Sequence, residues 1–512
     1  MMDKDLLGEQ EVRDLCQQAE AAQRQAAAFS QEQVDRICAA MAQAGFRAAR
    51  RLAELAVEET GMGRVEDKVL KNELSTRDVW EGYKDLRTVG ILEHDRRGKH
   101  TIYAEPMGVV AAIIPTTNPT STVMYKAIIC TKSRNAMIAS PHPIAGRCTL
   151  ESVKVLAEAA VRAGAPEGLI SCLSLPGIKA AAALMKDPRV SIILSTGGTS
   201  IGRAAHSSGK PAIGVGPGNV PAFVEKTADI RKAVRDIIIG KSFDWGLICS
   251  SEQAMIVDRR NEKKVLDCLK REPVAWIRGE ERAKLENFMV DSDGHLNTVV
   301  VGQSPARIAQ LAGFAVPEKT EVLLVEQSGV GLEYPLSREK LSPVLAYYTV
   351  GDTEAGIALS ERVVEYGGVG HTAIIHSRDQ DVVEQFARRV KTFRVLVNTP
   401  GPHGSVGYST SLDPAMTLGC GTWGGAITGD NITPLHLINR KHLAWETAAV
   451  ATDTRSQDSL SLRGNYSRFD ELERLSPKTK GTKGDIPTQP ADQEVLDEVG
   501  RIAREFVRKL EA

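Results

Sequence analysis

The sequence predicts a parallel α/β protein, and three observations support that prediction. Short, continuously apolar runs recur along the chain, as in Val109-Val110-Ala111-Ala112-Ile113-Ile114. Amphipathic helical stretches separate these runs, and glycine or proline closes many of them. Strands that are apolar on both faces and alternate with helices are typical of a parallel sheet covered by helices. The length of 512 residues gives room for about two to four domains with substantial cores.

The composition excludes several classes of partner. The formal net charge is −1 at pH 7, which gives no electrostatic reason to expect nucleic acid or an anionic membrane. The apolar runs are far shorter than the roughly 20 residues that cross a bilayer. The start, Met1–Asp5, lacks the features of a signal peptide. Eight cysteines, none in CxxC spacing, predict neither a disulfide framework nor a metal site. We expect a soluble cytoplasmic protein.

The first part of the chain alternates helices and strands. Residues 9–58 have apolar positions at helical spacing and predict two or three surface helices. The elements predicted next are a hairpin near 100–103, a strand over 108–114, a helix over 121–132, a strand over 136–139, a helix over 150–163 and a strand over 190–194. A domain boundary is expected near Gly216-Pro217-Gly218, where glycine and proline become frequent.

The second part repeats the alternation and places a cysteine before a strand. Strands are expected over 221–224, 254–257, 344–350, 372–375 and 395–397. Cys249 falls on the turn between a helix over 230–241 and the strand over 254–257. On an exposed turn a thiolate can attack a carbonyl, and backbone N–H groups can stabilise the resulting charge. The alternative is a small buried side chain, which is the more usual role of cysteine.

The C-terminal end has a different composition. Residues 476–490 carry Gly, Pro, Lys and Thr with little to bury, which predicts a linker. Beyond it, the apolar residues from Val495 to Leu510 recur at steps of three and four, which predicts an amphipathic helix. The helix either folds back onto its own domain or docks on a partner protein. A membrane-surface helix is disfavoured, because acidic residues share the polar face.

Four further segments supply candidate ligand groups. In Pro115–Thr120 the Asn118 amide either projects from the end of a strand as an oxyanion donor or caps the next turn. In Ser195–Gly202 glycines either let a phosphate approach a helix N-terminus or form a plain tight turn. Gly216 lies at a glycine-rich strand end that allows a cofactor ring to pack closely. Glu339 precedes a strand, where it either binds ribose hydroxyls or is solvated.

These segments, in this order, resemble the aldehyde dehydrogenase superfamily, specifically its CoA-acylating branch. That branch includes acetaldehyde and propionaldehyde dehydrogenases and the first half of bifunctional aldehyde–alcohol dehydrogenases. The similarity runs from about residue 10 to about residue 450. The motifs that carry it are Pro-Thr-Thr-Asn-Pro-Thr at 115–120, Ser-Pro-His-Pro at 140–143, Gly-Lys-Pro-Ala-Ile-Gly-Val-Gly at 209–216, Ile-Cys-Ser-Ser-Glu-Gln at 248–253 and Thr-Leu-Gly-Cys-Gly-Thr-Trp-Gly-Gly at 417–425.

The resemblance implies a domain organisation. Residues 1–216, joined by a returning segment over 417–450, would form a Rossmann-like NAD-binding domain, and residues 217–416 would form the catalytic domain. A linker over 451–490 would lead to the amphipathic helix over 491–512. Members packaged in bacterial microcompartments often carry such a helix for encapsulation. The resemblance therefore implies a location inside a microcompartment, a contact with a shell protein, and a dimeric or tetrameric enzyme.

The resemblance also implies roles for individual residues. Cys249 would be the nucleophile, and Asn118, with the backbone N–H of Cys249, would form the oxyanion site. Glu339 would hold the nicotinamide ribose, and Leu418 would lie near the nicotinamide. The other residues implied along the cofactor groove are Thr116, Thr117, Ser140, Gly197, Gly198 and Gly216. No metal ligand is implied.

Two departures from the superfamily pattern bear on the chemistry. Hydrolytic members carry a glutamate base 34 positions before the nucleophile, where this chain has Val215. Hydrolysis needs a base to activate water, whereas coenzyme A brings a nucleophilic thiol, so Val215 favours transfer to CoA. Ser140 stands where a ribose-binding lysine is usual. Without that cation, NAD is favoured over NADP.

The expected function is ping-pong oxidation of acetaldehyde or propionaldehyde to acyl-CoA, with NAD, through a thiohemiacetal and a thioester on Cys249. His371 is either the proton acceptor for the CoA thiol or a structural histidine at the start of a strand. The alternatives are a charged substrate such as sulfoacetaldehyde, hydrolysis to the free acid, and an assembly scaffold. The presence of Cys249, Asn118 and Glu339 argues against the scaffold.

Overall fold

The strands form three sheets in the computed structural model, which describes residues 4–95, 98–291 and 295–447. The strands are β1 Gly90–His94, β2 His100–Pro106, β3 Val109–Ile114, β4 Ala136–Pro141, β5 Ile170–Cys172, β6 Val190–Ser195, β7 Ala212–Ile213, β8 Val220–Val224, β9 Glu252–Asp258, β10 Val274–Trp276, β11 Val322–Glu326, β12 Val344–Val350, β13 Gly370–His376, β14 Thr392–Val397 and β15 Ile438–Ala444.

Two of these sheets are parallel. The first has five strands in the order β5-β4-β3-β6-β7, and the second has seven in the order β10-β11-β12-β9-β8-β13-β14. All neighbouring strands in these two sheets run in the same direction. The third sheet is antiparallel and has the order β1-β2-β15. The predicted parallel α/β fold is confirmed.

Helices connect the strands. They are α1 Lys4–Ala26, α2 Gln31–Thr60, α3 Val65–Glu73, α4 Val79–Tyr83, α5 Pro119–Lys132, α6 Gly146–Arg162, α7 Ile178–Lys186, α8 Thr199–His206, α9 Ile230–Ser242, α10 Glu262–Leu269, α11 Gly279–Met289, α12 Pro305–Ala312, α13 Thr353–Gly367, α14 Gln380–Arg389 and α15 Gly401–Ser405. In the part of the chain that the structure describes, no helix combines the length and the apolar character needed to span a membrane.

The elements predicted before residue 447 are present, with ends that shift by a few residues. The sequence did not predict β5, β7, β10 and β15, which are short or polar, or β11, whose first four residues are apolar and buried. The strands of the five-stranded sheet precede Gly216, and those of the seven-stranded sheet follow it. The assignment of domains over 1–216 with 417–450, and over 217–416, stays a prediction. The predicted linker over 451–490 and helix over 491–512 lie outside the described residues.

Helix α5 is buried along its whole length and is tied to the five-stranded sheet by a lysine. The ammonium of Lys126 donates to the carbonyls of Ile113 and Leu194, at 2.8 Å each. These carbonyls lie near the ends of β3 and β6. Burial lowers the pKa of Lys126 to about 7. The lysine therefore satisfies backbone acceptors at the sheet edge where the next segments emerge.

The carboxyl ends of β3, β4 and β6 lie side by side. Ile113 is in register with Ser140 of β4 on one side and with Ser195 of β6 on the other. The chain leaves β3 toward one neighbour and returns by the other, so this edge is a topological switch point. In open α/β sheets, ligands bind at such a point.

Candidate active site

The segment that carries Cys249 is sharply bent. It runs from the end of α9 at Ser242 to the start of β9 at Glu252. Asp244 and Trp245 have φ angles of 47° and 52°, in the left-handed region that such residues rarely adopt. Cys249 is half-buried on this connection, and its position between helix and strand confirms the predicted turn. We refer to residues 243–251 as the cysteine loop.

Two other segments contact the cysteine loop closely. A Cβ placed on Gly218 would lie 1.9 Å from the carbonyl oxygen of Cys249 and 3.3 Å from Cε1 of His371. The position therefore requires glycine. The glycine-rich stretch before β8, the cysteine loop and the start of β13 converge at this point. The sequence prediction listed Cys249 and His371 separately, and the fold brings them together.

The Asn118 amide faces the cysteine loop and does not cap a helix. Asn118 occupies the N-cap position of α5, but its side chain makes no capping hydrogen bond. Its Nδ2 donates to the Leu247 carbonyl at 3.3 Å and to Oγ1 of Thr117 at 3.0 Å. Its Oδ1 accepts from Nζ of Lys71 at 2.5 Å. The capping role that was the alternative for Asn118 is absent.

A buried ionic cluster lies behind this amide, and the sequence analysis did not find it. Oδ2 of Asp244 accepts from the ammonium groups of Lys68, at 3.0 Å, and Lys71. Oδ1 of Asp244 accepts from the backbone N–H of Arg64 at 2.7 Å. Burial lowers the pKa of Lys71 to about 8. The signal available was the three-residue spacing of two lysines on one helix face, which far more often marks an exposed face.

Glu339 is half-buried and bonded to the same glycine. Its Oε1 accepts from the backbone N–H of Gly218 at 3.1 Å. Burial raises the pKa of Glu339 to about 7, although this N–H bond opposes the shift. The alternative for Glu339, a fully solvated carboxylate on a loop, is therefore not observed. Its charge is close enough to Cys249 to affect the thiol.

Some of the segments predicted to bind the cofactor lie close together at the sheet edge. Ser140 and Ser195 flank β3 in register, and the hydroxyls of Thr196 and Thr417 lie 3.2 Å apart. Gly198 occupies the N-cap of α8, without a side-chain cap, and there is open space where its Cβ would point. A Cβ on Gly197 would instead lie 2.6 Å from Cγ2 of Ile201.

The glycine-rich turn over 417–425 packs against Gly216. The backbone N–H of Gly216 donates to Sγ of Cys420 at 3.4 Å. Leu418 is buried and forms an isolated β-bridge with Asn431. Val215 is buried against Cys420 and Ala426. The turn after β7 and the glycine-rich turn over 417–425 are thus in contact.

His371 is buried with one ring nitrogen unpaired. Its Nδ1 lies 2.9 Å from Oγ1 of Thr372, and its Nε2 has no hydrogen-bond partner among the described residues. The Arg394 guanidinium donates to the His371 carbonyl at 2.7 Å. Burial and this nearby cation lower the pKa of His371 to about 3. The imidazole is therefore neutral, and Nε2 carries a free lone pair if Nδ1 holds the proton.

A small apolar cavity of about 60 Å³ adjoins the cysteine loop and the Asn118–Lys71 pair. Its apolar walls include Leu70, Leu74, Phe243, Ile248, Val406 and Met416. Its polar lining comes from Lys71, which is bonded to Asp244, and His403, whose ring lies 4.7 Å from that of Phe243. Burial lowers the pKa of His403. The sequence analysis did not identify these walls.

Comparison with known proteins now defines the family. The sequence model of the Aldehyde dehydrogenase family matches residues 3–288, which is more than half of the 512-residue chain. The chain belongs to this family. Within the described residues, no group of three or more His, Cys, Asp or Glu side chains could hold a metal ion in this aldehyde dehydrogenase.

Relatives of this aldehyde dehydrogenase include acylating members. The bifunctional aldehyde-alcohol dehydrogenase AdhE of Escherichia coli (strain K12) is 43% identical over 441 residues, covering 85% of this chain and 49% of AdhE. The chain thus spans about half the length of the curated relatives it first matches. A crystal structure of an acetylating aldehyde dehydrogenase from Geobacillus thermoglucosidasius is 45% identical, with a TM-score of 0.87, covering 88% of this chain and 100% of that chain.

A more distant solved structure comes from an enzyme of a microcompartment. The propionaldehyde dehydrogenase of the Clostridium phytofermentans fucose utilisation bacterial microcompartment is 26% identical, with a TM-score of 0.77. The match covers 86% of this chain and 98% of that chain. The aldehyde dehydrogenase described here therefore has relatives both among fused bifunctional enzymes and among microcompartment enzymes.

The environment of Cys249 in this aldehyde dehydrogenase disfavours a thiolate. Burial raises the pKa of the Cys249 thiol well above its ordinary value, and the charge of Glu339 raises it further. Arg394 opposes these effects only in part. Before substrate binds, the thiol is protonated near neutral pH. Any reaction that uses this thiol as a nucleophile therefore has to begin with loss of its proton.

Proposed function

We propose that this aldehyde dehydrogenase oxidises a short, uncharged aldehyde to its acyl-CoA, with NAD as hydride acceptor. The observation that carries the proposal is the arrangement around Cys249. The Asn118 amide faces the cysteine loop, and His371 approaches it with a free Nε2. Val215 occupies the position of the hydrolytic base. Relatives named as acetylating dehydrogenases support transfer to CoA.

The first half-reaction forms a thiohemiacetal. The sulfur of Cys249 adds to the aldehyde carbon, and the carbonyl oxygen becomes an oxyanion. The Asn118 Nδ2–H and the backbone N–H of Cys249 donate to that oxyanion, as preorganised dipoles. Two groups near the cysteine loop can accept the thiol proton: the neutral imidazole of His371, and the carboxylate of Glu339, whose charge acts on this thiol. Because the pKa of His371 is depressed to about 3, the ring does not retain the proton, which passes to solvent as the proton that the overall oxidation releases.

The residues along the groove fit the nicotinamide cofactor. The N-terminus of α8 at Gly198 is open and can take a phosphate. Glu339 stands beside Gly218, where its carboxylate can accept from ribose hydroxyls. When bound, NAD supplies the acceptor for the hydride that leaves the thiohemiacetal carbon. Ser140 at the sheet edge offers no cation for a 2′-phosphate, which favours NAD over NADP.

The second half-reaction transfers the acyl group from Cys249 to coenzyme A. Hydrolysis would need a base beside the thioester to activate water. Val215 cannot accept a proton, and it is packed against Cys420 and Ala426. The thiol of coenzyme A is a far better nucleophile than water, and His371 accepts its proton. The thioester therefore reacts with CoA before it is hydrolysed.

The apolar cavity favours a short, uncharged substrate. A single water needs about 10–15 Å³ by this measure of volume, so a cavity of about 60 Å³ holds roughly four to six groups of that size. Acetaldehyde and propionaldehyde fit this space. A sulfonate or carboxylate tail would need a free cation. Lys71 is already bonded to Asp244, and the lowered pKa of His403 keeps that ring neutral.

The assembly of the enzyme is also part of the proposal. In this proposal the chain forms a dimer or tetramer in the cytoplasm, inside a bacterial microcompartment, and the segment 491–512, which the sequence predicts to be a helix, binds a shell protein. The microcompartment relative supports this location. Deletion of 491–512 is expected to leave turnover in solution intact and to abolish co-fractionation with shell proteins. Aggregation or unfolding of the truncated protein would instead indicate that the helix packs on its own domain.

The enzymatic proposal is tested by following NADH absorbance and the acyl product with NAD and acetaldehyde, with and without CoA. Steady turnover that requires CoA and yields acetyl-CoA is expected. Cys249→Ala should abolish this turnover while NAD still binds, and Cys268→Ala, which removes the other half-buried thiol, is the matched control. Equal NADH formation without CoA, with accumulation of the free acid, would refute the acylating mechanism. Preference for sulfoacetaldehyde would refute the assigned substrate class.

A further inference from the structure

We propose that Lys71 is a positioning residue that fixes the orientation of the Asn118 amide. The proposal rests on the proposed function, in which that amide stabilises the oxyanion on the substrate. The side chain of Lys71 is 4% exposed, and its Nζ lies 2.5 Å from Oδ1 of Asn118. Lys71 lies on α3, whereas Asn118 lies at the N-terminus of α5, so the bond joins two separate elements.

The chemistry of lysine determines which end of the amide faces the cysteine. An ammonium group only donates hydrogen bonds, so the amide atom bonded to Lys71 must be the oxygen. The Nδ2 end of Asn118 then points to the Leu247 carbonyl, two residues before Cys249. If the amide were flipped, its oxygen would face the developing oxyanion, and two negative ends would repel each other. Lys71 disfavours that flipped arrangement.

Lys71 is itself held by the cysteine loop. The carboxylate of Asp244 accepts from Nζ of Lys71 and from Nζ of Lys68. A Cβ on Gly63 would lie 2.1 Å from Oδ1 of Asp244, so little free space remains on that side of the carboxylate. Asp244 lies five residues before Cys249. The same carboxylate therefore couples the position of the nucleophile's loop to the position of the oxyanion donor.

The charge balance of this cluster favours an oxyanion nearby. Lys68 and Lys71 share a single carboxylate, that of Asp244, whereas Arg64 pairs with two carboxylates, Asp67 and Glu321, so positive charge exceeds negative charge only on the lysine side. The excess positive charge lies next to the amide. A charge-assisted hydrogen bond also polarises the amide, so its N–H groups become stronger donors. A neutral side chain at position 71 would supply neither effect.

Ion pairing with Asp244 does not by itself explain Lys71. Lys68 is 2% exposed and already pairs with the same oxygen at 3.0 Å. Its Nζ also donates to the Thr117 carbonyl at 3.2 Å but makes no hydrogen bond to the Asn118 side chain. The two lysines thus share a carboxylate and differ in their contact with the oxyanion donor. Lys68 is therefore a matched control.

The test is a double-mutant cycle on kcat for CoA-dependent aldehyde oxidation. Asn118→Ala is expected to lower kcat by about 10²–10³-fold, the usual effect of removing an oxyanion donor. Lys71→Met is expected to lower kcat by about 10–100-fold, with unchanged binding of NAD. In the Asn118→Ala background, Lys71→Met should lower kcat by less than about threefold, because the group through which it acts is gone. The effect of Lys68→Met should be the same in both backgrounds.

Rescue and pH dependence separate positioning from a purely structural role. Lys71→Gln keeps an N–H donor for Oδ1 of Asn118 and should recover about tenfold of the kcat that Lys71→Met loses. In the wild type, kcat should fall above about pH 8, where Lys71 loses its charge, and Lys71→Gln should lack this fall. The titratable groups around Lys71 are Lys68, Asp67 and Asp244, together with His403 and Tyr408, which line the same cavity.

Additive effects of Lys71→Met and Asn118→Ala would overturn the inference. If Lys71→Met does not fold, the cycle is run with Lys71→Met combined with Asp244→Asn, which removes both charges. Equal rates for Lys71→Met and Lys71→Gln would also overturn it. A wild-type protein without CoA-dependent turnover would instead refute the proposed function, so the two failures are distinguishable.

Discussion

Gly218→Ala tests whether the cysteine loop must lie within a fraction of an ångström of its observed position. Gly218 is not among the glycines with positive φ, so alanine is allowed by the backbone, and the cost is steric. The new Cβ would start 1.9 Å from the Cys249 carbonyl oxygen, whereas real Cβ atoms essentially never approach closer than 3.0 Å. The two segments must therefore separate by at least the difference, 1.1 Å.

A displacement of this size is expected to damage catalysis more than folding. A misplacement of about 1 Å in a reacting group can cost about 10²-fold in rate, which corresponds to about 2.7 kcal/mol of transition-state stabilisation. Insertion of a methyl group into a packed site typically costs about 1–3 kcal/mol of folding free energy. The alanine would also disturb the Gly218 N–H bond to Glu339. We expect kcat/KM for the aldehyde to fall about 100-fold in a folded protein.

The assay compares CoA-dependent NADH formation with thermal unfolding of the same samples. Gly177→Ala is the matched control, because no atom lies within 4 Å of the position of its Cβ, and its φ of −170° is extended backbone. This control should keep the wild-type kcat/KM. A folded Gly218→Ala protein with wild-type kcat/KM would refute the argument, because it would mean that the loop shifts at no catalytic cost.

Three further predictions concern the buried groups around Cys249. Iodoacetamide at pH 7.5, without cofactor, should label the half-buried Cys268 before Cys249, because burial and Glu339 raise the pKa of the Cys249 thiol; mass spectrometry that finds Cys249 labelled first would contradict this. Burial raises the pKa of Glu252 from 4.5 to about 8. The folded protein therefore holds this proton more tightly than the unfolded chain, and the free energy of unfolding of the wild type should decrease as pH rises from 4.5 to about 8. Glu252→Gln, which can still accept from the Gly401 N–H, should then be more stable than wild type by about 1–3 kcal/mol at pH 9 and equal at pH 4 in urea unfolding. Val215→Glu should yield some free acid from acetaldehyde, and complete absence of free acid would count against valine as the reason for CoA dependence.

The sequence was sufficient for the regular elements because their apolar patterns are local. The six residues of β3 and the seven of β9 are all buried, and each run reads as a strand apolar on both faces. The turn before β9 then places Cys249 between a helix and a strand. By contrast, β15 is mostly exposed and reads Ile-Asn-Arg-Lys-His-Leu-Ala. It forms a strand because it pairs with β2, more than 300 residues earlier, and no local pattern encodes that partner.

The buried cations of the site were not predictable for a related reason. Lysine and arginine are almost never fully buried without partners, so Lys71 and Arg394 would be expected on the surface. Their partners come from distant segments: Asp244 for Lys71, and the His371 carbonyl with the Asn431 amide for Arg394. The fold makes burial favourable only by bringing those acceptors together. A single sequence contains the residues but not their proximity.

The proposed chemistry explains why the oxyanion donor must be fixed so firmly. Both half-reactions form an oxyanion at the same carbonyl oxygen, first when Cys249 adds to the aldehyde and again when CoA attacks the thioester. The same Asn118–Lys71 pair serves both steps, since the carbonyl oxygen does not change its position relative to Cys249. Loss of Lys71 should therefore slow acyl-CoA formation and the reverse reduction of acyl-CoA by a similar factor. The overall equilibrium constant belongs to the reactants and cannot change, so both directions must be affected together.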